Sequence, residues 1–260
     1  MSAIDAERLG DELYAALRGR YTVAPLTGRF PGVGIDDAYA ISRRMLARRL
    51  ADGERVVGKK IGVTSKAVQS MLDVHQPDFG FLTDAMLFES GAAIDTRTLI
   101  QPRAEGEIAF VLGRDLAGPG ITEDDVLSAT RAVRPCFEIV DSRIRDWKIR
   151  IADTVADNAS SGVFVLGPEQ VDPRAVDLVG CRIRVEKNGA PLSEGVGAAA
   201  LGSPVYCVAW LANTLSRFGI ALEAGEVVLS GSLVPLEPVK VGDRMHLELE
   251  GIGRASVSFV

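Results

Sequence analysis

The sequence predicts a mixed, β-dominated α+β protein in which a helical N-terminal section precedes a β-rich domain. Apolar residues recur at helical spacing within the first 51 residues. From residue 55 onward, short segments rich in β-branched residues alternate with turns. The chain shows neither an internal repeat nor a low-complexity linker, and its 260 residues suffice for a large core. We therefore expect one continuous globular unit, helical over residues 1–54 and β-rich over 55–260.

The first two elements are predicted to be amphipathic helices. Residues 5–18 and residues 37–51 each place their apolar side chains on one stripe. Asp36 or Asp37 is a suitable N-cap for the second helix. The segment between the helices is rich in glycine and proline and predicts a loop.

Most of the remaining chain is predicted to form strands. RVVGKKIGVTS, residues 55–65, predicts a strand, and SKAVQSML predicts a helix that begins near Ser65. CRIRVEKNGAP predicts a strand that enters a hairpin turn at Asn188 and Gly189. The C-terminal part predicts four more strands in the segments EVVLSGS, PVKV, MHLELE and RASVSFV.

Two further helices are predicted among these strands. Thr122 and Asp125 form a capping-box pattern before the short helix VLSATRAV. A longer apolar helix is framed by Ser203 as N-cap, Pro204 at its first position and Gly219 as its end.

Composition and charge argue against several classes of protein. The net charge of −6 and the absence of a basic cluster argue against nucleic-acid binding. No apolar run is expected to reach membrane-spanning length, and the acidic N-terminus resembles neither a signal nor a transit peptide. Cys136, Cys181 and Cys207 lie among apolar residues and predict reduced core thiols in a cytoplasmic protein.

Three carboxylates are the most informative residues. Glu105 and Glu107 lie in the strand-like run QPRAEGEIAFVL, where alternation places both side chains on one face. Glu138 lies in a second apolar segment, PCFEIVDSR. Buried acids repel one another unless a cation joins them, and oxygen ligands favour Mg²⁺ or Mn²⁺. A solvated acid pair matched by Lys or Arg is the alternative, and the spacing leaves it open.

A lysine and an aspartate are candidate catalytic groups. Lys60 belongs to a predicted strand in which one of two adjacent lysines faces inward, where a carboxylate cluster is a natural counter-charge. A structural ion pair accounts for a buried lysine equally well. Asp78, in the segment QPDFG, is either a base or a turn residue.

Other polar segments offer weaker signals. Ser160, Ser161, Ser230 and Ser232 lie in small-residue loops and can donate hydroxyl or backbone hydrogen bonds to a ligand or cap the loops themselves. The segment SRIRDWKI, residues 142–149, predicts either a solvated basic edge or a face that contacts an anion or another subunit.

The common nucleotide-binding and hydrolase motifs are absent from the sequence. It has no P-loop, no G-x-G-x-x-G that opens a helix and no G-x-S-x-G. His246 alternates with apolar residues of a late strand, and His75 lies in a loop, so neither is favoured as a base. A zinc site is not expected, because these are the only histidines and no Cys-x-x-Cys occurs.

Taken together, many segments in their order along the chain resemble the 2-keto-4-pentenoate (2-hydroxypenta-2,4-dienoate) hydratases of aromatic meta-cleavage pathways. That family lies within the fumarylacetoacetate-hydrolase-like superfamily, and the resemblance covers nearly the whole chain. It implies a mixed β-sheet roll or sandwich of the fumarylacetoacetate-hydrolase C-terminal type. The segments that carry the resemblance are LGDELYAAL, GKKIGVTSKAVQ, VHQPDFGFLTDAM, QPRAEGEIAF, SRIRDWKI, DTVADNASSG, LGSPVYCVAWLANTL, LSGSLVPLEPV and GIGRASVSF.

The resemblance also implies a set of site residues. A divalent metal, Mg²⁺ or Mn²⁺, would be held by the three acids Glu105, Glu107 and Glu138. The family's essential lysine falls on Lys60 and its nearby acid on Asp78. Ser160 or Ser161 would line the pocket, and residues 55–260 would form the metal-dependent catalytic domain.

The implied activity is the addition of water to 2-hydroxypenta-2,4-dienoate, which gives 4-hydroxy-2-oxopentanoate. Decarboxylation of 4-oxalocrotonate (2-oxohex-3-enedioate) at the same site is one alternative. A C–C hydrolase of the acylpyruvate type is less favoured, because it needs a histidine near the acids. A non-catalytic partner subunit is the alternative of another class. A homo-oligomer, and association with a pathway decarboxylase or aldolase, are further expectations.

Overall fold

A larger and a smaller β-sheet form the framework of the protein. The computed structural model describes residues 4–65, 69 and 76–260. The α-helices of this part of the chain are Ala6–Gly19 (α1), Leu26–Arg29 (α2), Ile35–Ala51 (α3), Glu123–Ala129 (α4), Ile151–Ala156 (α5) and Pro204–Ser216 (α6). The strands are Val56–Gly62 (β1), Asp78–Thr83 (β2), Leu87–Glu89 (β3), Ala92–Ile94 (β4), Pro102–Leu112 (β5), Thr130–Asp141 (β6), Ser161–Leu166 (β7), Arg182–Lys187 (β8), Ala190–Val196 (β9), Val227–Leu229 (β10), Glu237–Pro238 (β11), Arg244–Leu249 (β12) and Gly253–Phe259 (β13).

The two sheets are both mixed. The larger one has the order β2-β1-β10-β5-β6-β7-β3, with β11 paired to β5, and the smaller one has the order β4-β13-β12-β8-β9. The pairs β1–β10, β3–β7 and β4–β13 are parallel, and the other pairs are antiparallel. The predicted fold class, a helical section followed by a β-dominated mixed α+β arrangement, is confirmed.

The two faces of β5 have different surroundings. Gly106 faces the smaller sheet so closely that a methyl group at this position would lie 2.5 Å from Ile183 Cδ1. Only glycine allows β5 to approach β8 to this distance. Because side chains alternate along a strand, Glu105 and Glu107 leave the opposite face. That face continues at Ala109 into a separate apolar cluster with Cys136, Phe164 and Leu229.

Most of the predicted elements are present with shifted ends. The second predicted helix begins at Ile35, and the Asp37 carboxylate accepts a hydrogen bond from the Gly34 amide at 3.0 Å. The capping box of Thr122 is confirmed, but its helix already ends at Ala129, because Thr130 starts the long strand β6.

The remaining element predictions have mixed outcomes. The hairpin at Asn188 and Gly189 is confirmed, and both residues have positive φ, as a two-residue hairpin turn requires. The strand predicted over PVKV is wrong apart from Pro238, which pairs with β5. The predicted helix SKAVQSML lies mostly outside the described residues, and so does His75.

The helix α6 is buried within the protein. By length and composition alone, the segment Gly197–Ser216 could cross a membrane, so the expectation that no apolar run reaches that length is wrong here. Half of the segment is buried inside the protein, and Leu211 and Leu215 are fully buried. Its apolar composition is therefore explained by packing in the core, and core helices commonly have this length and composition.

The N-terminal helical section is tied to the β-rich part by polar contacts. Thr27 donates hydrogen bonds from its amide and hydroxyl groups to the buried Asp153 carboxylate, at 3.0 and 2.7 Å. Val23 exchanges backbone hydrogen bonds with the segment that follows β6. Arg49 on α3 donates to the Thr83 hydroxyl at 2.9 Å. The N-terminal section thus contacts α5, the segment before it and the end of β2.

A buried ion pair organises the turn between α5 and β7. Arg143 and Asp157 are both completely buried and are 2.5 Å apart. The guanidinium group also donates to the Ser161 carbonyl at 2.8 Å. This pair braces Asn158–Ser160, three successive residues with φ near +55°. The Asn158 amide in turn exchanges hydrogen bonds with the Phe81 backbone at 2.8 and 2.9 Å.

Replacing Arg143 by methionine should lower the free energy of unfolding by about 3–5 kcal/mol, because it leaves a buried carboxylate without its partner. Arg145→Met is the matched control, since Arg145 is exposed and should change stability by less than about 0.5 kcal/mol. Urea unfolding of both variants measures the difference. Equal losses in the two variants would contradict the structural role of the pair.

Candidate active site

The three predicted metal ligands converge on one face of the larger sheet. In the antiparallel register of β5 and β6, Glu105 lies directly opposite Glu138. Glu107 lies two residues further along the same face. One oxygen atom from each carboxylate lies within 4.8 Å of the others. The exposed fractions are 8% for Glu105, 0% for Glu107 and 1% for Glu138, so the cluster is almost dry.

Three carboxylate oxygens of the cluster accept no hydrogen bond from the described part of the chain. Glu107 Oε2 accepts a hydrogen bond from the Gly231 amide at 2.8 Å. Glu107 Oε1 and both carboxylate oxygens of Glu138 accept none from the residues that the structure describes. Buried carboxylate oxygens without donors are unfavourable. A divalent cation with oxygen ligands satisfies such atoms, and the donor set therefore fits Mg²⁺ or Mn²⁺.

Burial and mutual repulsion change the acidity of this cluster. Burial, followed by the charge of Glu138, raises the pKa of Glu105 to about 8. The same two causes hold the pKa of Glu107 well above its usual value. Protons therefore stabilise the cluster when no metal is bound, and a divalent ion competes with them for the same oxygens.

Lys60 supplies the counter-charge to the acids. It extends from β1, and its Nζ lies 3.1 Å from Glu138 Oε1. Burial lowers its pKa, but Glu138 and Asp78 more than offset this effect, so the pKa of Lys60 lies above its usual value. The ammonium group therefore stays charged at neutral pH.

Both adjacent lysines are buried, although the sequence predicted only one inward side chain. Lys59 leaves the opposite face of β1 and lies 2.5 Å from Glu226. Strand alternation in the local sequence places the two lysines on opposite faces. Which carboxylate pairs with each lysine depends on the tertiary fold.

Asp78 lies beside Lys60 at the end of the β1–β2 ladder. Its register partner is Gly62, where a methyl group would lie 2.2 Å from Asp78 Oδ1 and 3.4 Å from Lys60 Nζ. The absent side chain of Gly62 thus lets both groups reach the same place. Burial raises the pKa of Asp78 to about 6, although the Lys60 charge opposes this rise. The turn interpretation of Asp78 is wrong, because it is the first residue of a buried strand.

Of the predicted serines, Ser160, Ser161 and Ser230 are buried, whereas Ser232 is partly buried and donates a hydrogen bond to the Val234 carbonyl. The Ser160 hydroxyl lies 3.5 Å from Thr154 Oγ1 and 3.4 Å from Asp157 Oδ2. Ser161 donates a hydrogen bond to the Asn158 carbonyl at 2.9 Å. Ser230 precedes Gly231, and its hydroxyl has no hydrogen-bond partner among the described residues. Their contacts with substrate stay predictions, as do the catalytic roles of Lys60 and Asp78.

Sequence reasoning missed two features near the site. The Thr154 hydroxyl lies close enough to Asp78 to lower its pKa, and no local motif distinguishes it from an ordinary helix residue. The segment SRIRDWKI is not a uniform basic edge, because Arg143 is fully buried. Arg145 and Lys148 are exposed, as expected for a solvated edge.

Comparison with known proteins places the chain in a family. The model of the fumarylacetoacetate (FAA) hydrolase C-terminal family matches residues 53–260. The sequence is 60% identical over 255 residues to a 2-hydroxyhexa-2,4-dienoate hydratase of Comamonas testosteroni, covering 97% of each chain. It is 70% identical over 214 residues to a 2-hydroxypent-2,4-dienoate hydratase of Pseudomonas putida, covering 82% of this chain and 96% of the relative.

A solved structure agrees with this placement. The 4-oxalocrotonate decarboxylase of Pseudomonas putida G7, complexed with magnesium and adipate, superposes with a TM-score of 0.96 at 34% identity, covering 100% of this chain and 99% of the other. The protein belongs to the fumarylacetoacetate hydrolase C-terminal family. Within that family it belongs with the 2-keto-4-pentenoate hydratases, so both the resemblance drawn from the sequence and the predicted fold type are confirmed.

Removing divalent ions should make the protein less stable as the pH rises. Because the folded-state pKa of Glu105 lies near 8 and its usual value is 4.5, the folded chain binds more protons than the unfolded chain between these values. The contribution of Glu105 to stability is therefore complete below about pH 4.5 and decreases as the pH rises toward 8, by at least about 1 kcal/mol.

Urea unfolding at pH 5.5 and 8.0, with EDTA or with Mg²⁺, measures this effect. Mg²⁺ should abolish most of the decrease, since the ion replaces the protons. Glu105→Gln should reduce the decrease in EDTA, because an amide does not titrate and Glu107 then loses its proton beside one acid fewer. A decrease of the same size with EDTA and with Mg²⁺ would be inconsistent with a metal site at these acids.

Proposed function

We propose that the protein is a hydro-lyase that adds water to 2-hydroxypenta-2,4-dienoate and forms 4-hydroxy-2-oxopentanoate, with Mg²⁺ or Mn²⁺ as cofactor. One observation carries the proposal. A buried cluster of three acids lies against Lys60 and Asp78 in a chain that is 60% identical to a named dienoate hydratase along nearly its whole length. The activity of these relatives agrees with the hydratase function expected from the sequence.

The three acids are the proposed metal ligands. Glu105, Glu107 and Glu138 would hold the ion with one oxygen each. One oxygen of Glu107 and both oxygens of Glu138 accept no hydrogen bond from the described residues, which supports this assignment. When bound, a divalent ion supplies Lewis acidity, which polarises a carbonyl oxygen and orients a carboxylate. The Gly231 amide keeps Glu107 oriented through its hydrogen bond to Oε2.

Asp78 is the proposed proton carrier. Its pKa of about 6 allows it to gain and lose a proton near neutral pH, which suits a general acid–base group. The reaction adds a proton at C5 of the dienol and removes the proton of its C2 hydroxyl, which gives 2-oxopent-3-enoate. Water then adds at C4, and a second proton is delivered at C3. Asp78 would move these protons.

Lys60 is proposed to act through its charge. Because its pKa is raised, the ammonium group stays protonated and can donate a hydrogen bond to negative charge that develops on the C2 oxygen. Its 3.1 Å contact with Glu138 fixes the side chain before substrate binds. Ser160, Ser161 and Ser230 are proposed to line the substrate pocket.

The higher-order assignments are also proposals. Residues 55–260 would form the catalytic domain and residues 1–54 the helical section that braces it, which agrees with the family match from residue 53. We expect a homo-oligomer in the cytoplasm that associates with a decarboxylase or aldolase of the same pathway. The three free, buried cysteines are consistent with a reducing compartment.

An assay with two substrates tests the proposed function. The purified protein with Mg²⁺ should consume the chromophore of 2-hydroxypenta-2,4-dienoate and form 4-hydroxy-2-oxopentanoate, but release no CO₂ from 4-oxalocrotonate. Chelation should lower the rate at least about 100-fold, because the Lewis acid is lost. Faster CO₂ release than hydration would instead identify a decarboxylase, and no turnover of either substrate would favour a non-catalytic partner.

A lysine variant connects the activity to this site. Lys60→Met should lower kcat by about 100-fold, the usual effect of removing one donor to a developing anion. Lys240→Met is the control, because Lys240 is exposed. Circular dichroism of both variants checks that the fold is intact. Normal turnover by a folded Lys60→Met protein would exclude the proposed role of Lys60.

A further inference from the structure

Arg103 lies near the acid cluster on β5 and has no anionic partner among the residues that the structure describes. It lies on β5 two residues before Glu105, so its side chain leaves the same face of the sheet. Among the residues that the structure describes, no carboxylate or hydrogen-bond acceptor contacts its guanidinium group. The guanidinium group lies over Trp147, whose ring centroid is 4.8 Å from the guanidinium carbon.

Trp147 is held firmly in a position to support this arginine. Its indole Nε1 donates a hydrogen bond to the Gln101 carbonyl at 3.0 Å, which fixes the ring beside the start of β5. The backbone of Asp146 and Trp147 adopts φ values of 57° and 55°. Such values are rare for a bulky residue, and strain of this kind concentrates at functional sites. An arginine stacked on an aromatic ring keeps its hydrogen-bond donors free for a carboxylate.

Exposure rises along the acid face toward Arg103. Glu107 is fully buried, Glu105 is 8% exposed, and Arg103 is half-buried. Within the described part of the chain, the exposed fraction of this face of β5 thus increases from the acid cluster toward Arg103. We call this end of the face, formed by Arg103 and Trp147, the mouth of the site.

An anionic substrate meets an unfavourable charge balance inside the site. The four carboxylates of Glu105, Glu107, Glu138 and Asp78 face Lys60 and one divalent ion, which leaves one formal negative charge among the described groups. The whole chain also carries a net charge of −6. A fixed cation at the mouth offsets this repulsion and raises the local concentration of an anion.

We propose that Arg103, held by Trp147, binds the carboxylate of the incoming 2-oxo or 2-enol acid at the mouth and sets the efficiency of substrate capture. The identity of that acid rests on the proposed function, whereas the binding of a small dicarboxylate does not. Arg103 would contact the carboxylate and contribute to binding, whereas Lys60 and Asp78 would act at the reacting atoms.

Steady-state kinetics of Arg103→Gln and Arg145→Gln at low and high ionic strength test the proposal. Arg145 is exposed on the same segment as Trp147, so its replacement changes the net charge equally without changing the mouth. At low ionic strength, Arg103→Gln should lower kcat/KM about tenfold and leave kcat within twofold. At high ionic strength, the kcat/KM values of Arg103→Gln and the original protein should lie closer together, because salt screens the charge. Arg145→Gln should stay within twofold of the original protein.

A binding measurement separates this proposal from the proposed function. Oxalate is titrated into the Mg²⁺-loaded protein by calorimetry, and Arg103→Gln should weaken its binding about tenfold at low salt. If the original protein does not hydrate the dienoate but this loss is found, the proposed function fails and the role of Arg103 stands. Equal losses in Arg103→Gln and Arg145→Gln, unchanged binding and kcat/KM, or a decrease confined to kcat would each overturn the role of Arg103.

Discussion

The balance of charge around Lys60 is the constraint on which the rest of the site depends. Four carboxyl groups and one ammonium group share a nearly dry face of the larger sheet, and Lys60 alone does not balance them. Such an arrangement is costly in the free energy of folding unless a cation or protons complete it. The same imbalance favours a divalent ion and keeps Lys60 charged, while burial raises the pKa of Asp78 to about 6.

The fold meets this constraint through strand register and rigid supports. Direct pairing of Glu105 with Glu138 fixes the distance between acids from two strands, and Gly106 lets the opposite face of β5 pack tightly on the smaller sheet. The Arg143–Asp157 pair braces the turn that carries Ser160. Strand register and packing thus position the acids, while the Arg143–Asp157 pair positions the turn with Ser160, and such fixed positions preorganise a site.

The sequence predicts the features that depend on local rules, and it fails where partners come from distant segments. Strand alternation correctly places Glu105 and Glu107 on one face. The contact between Lys60 and Glu138 depends on strands brought together by the tertiary fold, so spacing left a structural ion pair open. The sequence does not predict the burial of Lys59 and Arg143 for the same reason. Glu226, the partner of Lys59, lies far away along the chain, and Asp157, the partner of Arg143, lies in a segment whose polar residues predict a loop. The hydratase function came from the family resemblance, because chemistry alone indicates only an oxygen-ligand metal site.

Anomalous diffraction from crystals grown with Mn²⁺ tests the central claim most directly. We expect one strong manganese peak coordinated by one oxygen from each of Glu105, Glu107 and Glu138. Lys60 should remain beside Glu138, and the ion should complete the charge balance. A protein that shows no manganese at these acids, or an ordered ion bound elsewhere while the three carboxylates stay unliganded, would contradict it.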